Sequence, residues 1–100
     1  MRYEFAKRRL ADLYETCRGQ EKYAAGVVDA FFEVVAIIGA AKDIRDLYAA
    51  KSLHFEKMKG KQGKAGQRSL RLTGQWRLIV EVAEDQQGKR IRICEIKDYH

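Results

Sequence analysis

The spacing of apolar residues changes near the middle of the chain, from a helical period to a strand-like alternation. Before residue 50, Leu10 and Leu13 recur at helical spacing, and the segment 23–39 is almost continuously apolar. After residue 50, apolar residues alternate with polar ones in the segments 69–72, 75–83 and 90–96. Because its helices precede its strands, the chain is predicted to have an α+β fold with an antiparallel sheet.

The first half of the chain predicts two N-terminal helices and one short helical turn. The first helix ends before Gly19, and the longer second helix covers residues 23–39. Asp29 and Glu33 mark the solvent-exposed side of the second helix, which is otherwise so apolar that most of its surface must be covered. Asp43 can cap the short helical turn that follows.

The second half predicts a hairpin and a final strand. A glycine-containing turn at residues 73–74 separates the first two strands, which is the usual arrangement of a β-hairpin. Trp76 alternates with Arg77 and is expected to point towards the helices. Three glycines interrupt a basic loop over residues 60–66. The alternating segment 2–6 predicts either an edge strand or the approach to the first helix.

Positive charge is concentrated in the second half of the chain. Residues 1–50 contain eight Lys or Arg and eight Asp or Glu, whereas residues 51–100 contain twelve and six. Between residues 51 and 77, eight cations accompany a single anion, Glu56. A local field of this kind attracts polyanions and holds phosphates through Lys and Arg, although a surface that only aids solubility would have the same composition.

Length and residue types limit the classes of protein to be considered. The chain of 100 residues is expected to form one domain over residues 1–100. Its longest apolar stretch, 24–41, carries two acidic residues and is shorter than the ~20 residues that span a bilayer. Cys17 and Cys94 form no CxxC pair, so free thiols are expected, with one disulfide as the alternative. Two histidines and no clustered ligands indicate neither a metal nor another cofactor.

Three stretches of the second half resemble one family of toxins. They are KSLHFEKMKG at 51–60, GQRSLRLTGQWRLIVEV at 66–82 and the terminal EIKDYH at 95–100. In this order they resemble the HigB-type toxins of the RelE/ParE superfamily. The resemblance implies two N-terminal helices packed on a small twisted antiparallel sheet. It also implies a metal-independent endonuclease that cuts messenger RNA on the ribosome.

The chemistry implied by this resemblance needs cations beside the scissile phosphate. When RNA is cut without a metal, its own 2′-hydroxyl is the nucleophile, and the enzyme supplies a base, an acid and positive charge. Arg71 and Arg77 match the hairpin arginines of the family, and antiparallel pairing can bring them to one face. Lys57, Lys59 and Arg68 are expected to bind the RNA with them.

The end of the chain matches the terminal motif of the family, to which acid–base roles attach. An imidazole titrates nearest to neutral pH, so His100 is the first candidate for the general acid or base. Tyr99 can exchange a proton or stack on a base of the RNA. Asp98 can orient His100 or act as the base itself. A frayed chain end with no role is the alternative.

The sequence departs from the family in the basic segment. Some HigB-type toxins have a histidine three residues before the lysine of the KG motif, where this chain has Glu56. The nearby His54 lies two positions earlier, and on a strand the two residues would share a face. Either can therefore be the base. Glu56 is preferred for catalysis, and His54 is kept as a candidate RNA contact.

Two other functions remain open at this point. A ParE-like toxin would bind and inhibit DNA gyrase with the same fold and no catalysis. A plain nucleic-acid-binding module is less favoured, because the sequence has no RNP aromatic pattern, recognition helix or zinc spacing. The preferred function implies a cytoplasmic protein with two partners, the ribosome with bound messenger RNA and a HigA-like helix-turn-helix antitoxin. It implies no membrane contact, and contact with DNA only through the antitoxin.

Overall fold

Five strands form one sheet in the order β1-β5-β4-β3-β2, with helices on one side of it. The computed structural model describes residues 1–99. Its elements are β1 (Arg2–Phe5), α1 (Arg8–Thr16), α2 (Val27–Ala40), α3 (Ile44–Ala49), β2 (Glu56–Lys57), α4 (Gly60–Lys64), β3 (Gln67–Thr73), β4 (Trp76–Asp85) and β5 (Gly88–Asp98). The α+β class predicted from the sequence is confirmed.

The sheet is mixed, so the prediction of a wholly antiparallel sheet is wrong at one edge. β1 is an edge strand and pairs in parallel with β5, which places Tyr3 opposite Ile91 and Phe5 opposite Ile93. The other three pairings are antiparallel. The parallel pairing is stabilised by packing, because Tyr3 and Phe5 contact the buried cluster and each other edge to face.

The core lies between the sheet and helices α1 and α2. The residues with no more than 1% of their surface exposed include Leu10, Leu13, Phe31, Leu78 and Ile91. Asp29 and Glu33 are exposed, as expected. The predicted start of α2 at residue 23 is wrong. Residues 20–22 form a 3₁₀ turn, and Gly26 adopts a left-handed conformation (φ 83°) that side chains disfavour, so the helix begins at Val27.

Asp43 caps α3, as predicted. Its carboxylate accepts a hydrogen bond from the backbone N–H of Arg45 at 2.7 Å. It also forms an ion pair with the guanidinium of the same residue at 3.1 Å. The hydrogen bonds to Arg45 hold the pKa of the Asp43 carboxyl below its ordinary value. None of the helices in residues 1–99 is long and apolar enough to span a membrane.

The basic segment that follows α3 differs from the prediction. Residues 51–53 form a 3₁₀ turn that ends at His54 in a left-handed conformation (φ 46°), and only Glu56 and Lys57 pair as a strand. The expected glycine-rich loop contains the short helix α4. Gly63 in this helix packs so closely on Met58 that a Cβ there would collide with the Met58 carbonyl oxygen. The segment is therefore compact, although its sequence is typical of a loop.

The antiparallel register determines which residues share each face of the sheet. Leu70 lies opposite Leu78 on the face covered by the helices. Trp76 points to this face, as predicted, and its ring meets Tyr23 edge to face at 5.9 Å, but it is half-buried and does not join the core cluster. Among residues 1–99, the other face contributes no side chain to the core cluster, although its Ile79 is buried, and we call it the open face. It carries Arg71, opposite Arg77.

Candidate functional site

Three cations lie side by side on the open face, at the end of the sheet that contains the β3–β4 turn. Arg71 on β3 is opposite Arg77 on β4, and Arg77 is opposite Lys97 on β5. Neighbouring strands are ~4.8 Å apart, so the three Cα atoms extend over about 10 Å. We call these three residues the cationic row. The prediction that Arg71 and Arg77 share a face is confirmed, but the sequence analysis missed Lys97.

Arg77 occupies the centre of the cationic row and is held by the hairpin turn. One guanidinium nitrogen donates hydrogen bonds to the carbonyl oxygens of Gly74 at 2.6 Å and Trp76 at 3.1 Å. These bonds fix the side chain while leaving its other donors available. Within residues 1–99, no carboxylate lies within ion-pair distance of Arg71, Arg77 or Lys97. The three cations of the row therefore form no ion pair with the described part of the chain, and the Glu95 carboxylate on the same face lies two residues, or about 7 Å, along β5 from Lys97.

The opposite end of the open face also carries arginines, but these arginines form ion pairs with carboxylates. Glu4 contacts Arg90 at 2.6 Å and Arg92 at 3.3 Å, and Asp85 contacts Arg2 at 3.0 Å and Arg90 at 3.2 Å. We call these five residues the ion-pair network. The hydrogen bond from Arg90 lowers the pKa of the Glu4 carboxyl, and the hydrogen bond from Arg2 lowers that of Asp85.

The two ends of the open face therefore have different affinities for an anion. A phosphate approaching the ion-pair network would compete with carboxylates already in place, whereas a phosphate at the cationic row would meet cations that form no ion pair with residues 1–99. The sequence alone could not distinguish these arginines, because the pairing depends on β1 lying beside β5. The end of the sheet at the β3–β4 turn is therefore the candidate anion-binding end.

Tyr99 lies beside the cationic row, directly after β5. Its backbone N–H donates to the carbonyl of Gln75 at 2.9 Å, so this residue is hydrogen-bonded to the β3–β4 turn. The ammonium of Lys97 lies 5.4 Å from the centre of the Tyr99 ring, and 37% of Tyr99 is exposed. Asp98 lies opposite Trp76, and strand alternation puts it on the face opposite Lys97. His100, the remaining member of the predicted trio, lies outside the described residues.

Glu56 is the carboxylate of the basic segment and lies at the edge of the open face. It pairs with Ser69, which is two residues and therefore about 7 Å along β3 from Arg71. The prediction that His54 shares a strand face with Glu56 is wrong, because the backbone turns at His54 before β2 begins. His54 is exposed, and the structure does not bring it into the cationic row.

The other predicted RNA-binding cations do not join the row. Arg68 lies opposite Val80 on the helix-covered side, and its Nε donates to the hydroxyl of Tyr48 at 3.2 Å. Lys57 pairs with Arg68, and Lys59 is exposed just before α4. The five predicted cations are thus divided between the open face and the edge of the sheet. Edge-strand register decides this division, and the sequence pattern did not reveal it.

The cationic row can perform part of a phosphoryl-transfer reaction. Arginine and lysine donors can neutralise charge that develops on a phosphate, while a carboxylate such as Glu56 or a phenol such as Tyr99 can move a proton. Among residues 1–99, no three His, Cys, Asp or Glu side chains are grouped so that they could hold a metal ion.

Comparisons with known proteins point to one family. The family model for the RelE-like toxin of the type II toxin-antitoxin system HigB matches residues 3–96. Among solved structures, a YoeB/ParE toxin from Agrobacterium tumefaciens is similar with a TM-score of 0.59 and 16% sequence identity, and the match covers 100% of each chain. At this identity the likeness shows the fold alone. A comparison with curated proteins finds no match.

Proposed function

Because the chain belongs to the HigB-like family of RelE-like toxins of type II toxin-antitoxin systems, we propose that it cuts messenger RNA on the ribosome without a metal ion. Toxins of this family are generally ribonucleases. The observation that carries the proposal is the cationic row on the open face, which forms no ion pair with residues 1–99 and has Glu56 at its edge and Tyr99 beside it. A protein that only bound a partner would not need proton-transfer groups next to such a row.

The proposed reaction is an in-line attack within the RNA. A base accepts the proton of the 2′-hydroxyl, and the 2′-oxygen forms a bond to the phosphorus. The bond to the 5′-oxygen then breaks, and an acid protonates that oxygen. The products are a 2′,3′-cyclic phosphate and a 5′-hydroxyl. The charge that builds on the phosphate oxygens is the quantity that protein cations stabilise.

Each member of the site has a role in this proposal. Arg71, Arg77 and Lys97 bind the scissile phosphate, and Arg77 is central because the other two lie on either side of it. Glu56 is the candidate base at the edge of the row. Tyr99 and His100 are the candidate acids, and Asp98 orients His100 or accepts a proton itself. Lys59 and His54 are candidate contacts to the RNA outside the row.

The ribosome is the proposed source of the geometry that the protein lacks. The two described clefts are lined by residues between Arg9 and Asp29, whereas the cationic row lies on a strand surface. An exposed surface cannot by itself hold the 2′-oxygen, phosphorus and 5′-oxygen in line. A ribosome that has already positioned its message lowers this entropic cost. We therefore place the protein in the cytoplasm, acting as one domain on translated messages.

A type II system also includes an antitoxin. We propose that the antitoxin is a HigA-like helix-turn-helix protein that docks on the N-terminal helices of the toxin. Only the antitoxin would contact DNA. Glu15, Asp29 and Glu33 are exposed there, while Asp12 is half-buried and forms an ion pair with Arg8 at 3.3 Å. Docking on this side would leave the cationic row exposed, and the bound antitoxin would sterically prevent the toxin from entering the ribosome.

Induced expression tests the proposed function against gyrase inhibition. We expect wild-type protein to arrest growth with loss of ribosome-associated messages and with normal DNA supercoiling. The double variant Tyr99→Ala, His100→Ala, expressed at the wild-type level, should permit growth, because it removes both candidate acids. Full growth arrest by this variant, or loss of supercoiling with intact messages, would refute the nuclease assignment.

A further inference from the structure

Tyr48 is an exposed aromatic residue outside the proposed active site. It lies on α3, and 49% of its surface is exposed, more than for any other large apolar or aromatic residue described. Its ring contacts Phe55 almost perpendicularly, with a centroid distance of 4.7 Å and an interplanar angle of 70°. Phe55 is itself only 6% exposed, so a buried ring holds Tyr48 in place. The Tyr48 ring is thus well positioned without being covered.

One cation contacts this exposed ring, and a second lies beside the first across the sheet edge. The Nε of Arg68 donates to the Tyr48 hydroxyl at 3.2 Å, and another guanidinium nitrogen donates to the Gln67 carbonyl at 3.2 Å. Lys57 pairs with Arg68 across the sheet edge. Within residues 1–99, neither Arg68 nor Lys57 has a carboxylate at ion-pair distance. This edge therefore has uncompensated charge as well as an exposed ring.

An aromatic ring beside uncompensated cations is the arrangement that binds single-stranded nucleic acid. Bases stack on the ring whatever their identity, while the cations contact the phosphates. A docking site for an ordinary protein partner needs apolar area, and the other exposed large apolar or aromatic residues among those described are Ile37 on α2 and Tyr99 after β5. The charge complements a polyanion. The observations therefore favour RNA over a protein partner as the occupant.

The ring and the cationic row are close enough to contact one RNA strand. Arg68 and Arg71 both belong to β3, three residues and about 10 Å apart, and point to opposite sides of that strand. The only strand of the sheet outside β3 is β2, which has two residues, and α4 and the 3₁₀ turn 51–53 also contact β3. A flexible single strand can pass around so short an edge. The two sites would then be separated by a few nucleotides.

We infer that Tyr48 stacks on an unpaired base of the message near the scissile phosphate, and that Arg68 and Lys57 bind the neighbouring phosphates. This inference rests on the proposed function, because it assumes that single-stranded RNA reaches the cationic row. Tyr48 is a binding residue and takes no part in proton transfer. The sequence pattern predicts only that Tyr48 belongs to a short helical turn.

Equilibrium binding of a non-cleavable RNA tests the inference. The probe is a fluorescein-labelled single strand of ten 2′-O-methyl nucleotides, measured by anisotropy at low salt. Tyr48→Leu retains an apolar side chain against Phe55 but removes the aromatic plane, and we expect binding to weaken about tenfold. Tyr48→Phe keeps the ring and should bind within about threefold of wild type. Thermal unfolding checks that both variants are folded.

Arg68→Gln is an independent variant that leaves the ring in place. Because one phosphate contact is lost, the slope of log affinity against log salt should fall by about 0.7. Arg71→Ala should weaken binding through the cationic row and serves as the control for the proposed function. Equal binding by Tyr48→Leu and wild type, with binding weakened in Arg71→Ala, would overturn this inference and leave the proposed function standing.

Two further results would contradict the assignment of this edge to RNA. If Tyr48→Leu loses the cognate antitoxin but binds the probe normally, the ring belongs to a protein interface. If the salt slope of Arg68→Gln equals that of wild type, Arg68 does not contact a phosphate. If Arg71→Ala also binds normally, the proposed function fails with the inference.

Discussion

Replacement of Arg77 tests whether charge compensation decides which arginines act on RNA. The variant is Arg77→Gln, and its matched control is Arg90→Gln. Both residues are half-buried arginines that point to the open face, but Arg77 has no carboxylate partner among residues 1–99, whereas Arg90 contacts Glu4 at 2.6 Å and Asp85 at 3.2 Å. The two substitutions remove the same charge from two different electrostatic settings.

The expected loss for Arg77→Gln follows from the geometry of the cationic row. The phosphate gains about one negative charge on the way to the phosphorane. A cation ~5 Å away stabilises that extra charge by roughly 3 kcal/mol at an effective dielectric constant of about 20. The cleavage rate should therefore fall ~10²-fold. The lost hydrogen bonds to Gly74 and Trp76 lie at an exposed turn, so stability should fall by only about 1 kcal/mol.

Primer extension on a reporter message in a reconstituted translation system measures the cleavage rate. We expect Arg90→Gln to cut at nearly the wild-type rate, with a small loss of thermal stability. Equal loss of cleavage in both variants would show that the ion-pair network is as important as the row. An unchanged rate for Arg77→Gln would refute the assignment of the phosphate to the cationic row.

Three other predictions concern the acid, the antitoxin and the stability of the fold. Tyr99→Phe retains the ring over which Lys97 lies but removes the hydroxyl. A ~10²-fold slower reaction would support proton transfer by Tyr99, and an unchanged rate would limit it to stacking. Reversing the charges of Asp29 and Glu33 should abolish antitoxin binding, whereas reversing those of Lys57, Lys59 and Arg71 should not. The opposite result would mean that the antitoxin covers the active site. Because Arg90 and Arg2 lower the pKa values of Glu4 and Asp85, their contribution to stability is present above the ordinary carboxyl pKa and is lost as pH falls through the lowered values. Asp85→Asn should therefore reduce the acid sensitivity of thermal unfolding, and an identical pH profile would contradict this.

Much of the fold could be predicted because it depends on local patterns. The helical period of the first half and the alternation of the second half reflect which side chains are buried, and the structure has helices and strands in those places. The cap at Asp43 and the shared face of Arg71 and Arg77 each depend on residues close in sequence. A hairpin brings nearby residues together whatever the rest of the chain does.

The errors and omissions arise from non-local pairing. β1 joins β5 across more than 80 residues, so the compensation of Arg90 and Arg92 by Glu4 was not visible in the sequence. The left-handed backbone at His54 ends the alternation that seemed to continue from residue 53 to residue 56. Lys97 could have been found, since a strand that puts Ile96 against the core must turn Lys97 to the other face.

A message with one 2′-deoxy nucleotide at the mapped cleavage site tests the central claim most directly. The purified protein is incubated with this message and with the all-ribose message, each on translating ribosomes and each as free RNA. We expect that only the ribosome-bound all-ribose message is cut, leaving a 2′,3′-cyclic phosphate, because the deoxy message lacks the nucleophile. Cleavage of the deoxy message at the same site would contradict the proposed mechanism. Inhibition of DNA gyrase by protein that cuts neither message would contradict the proposed function.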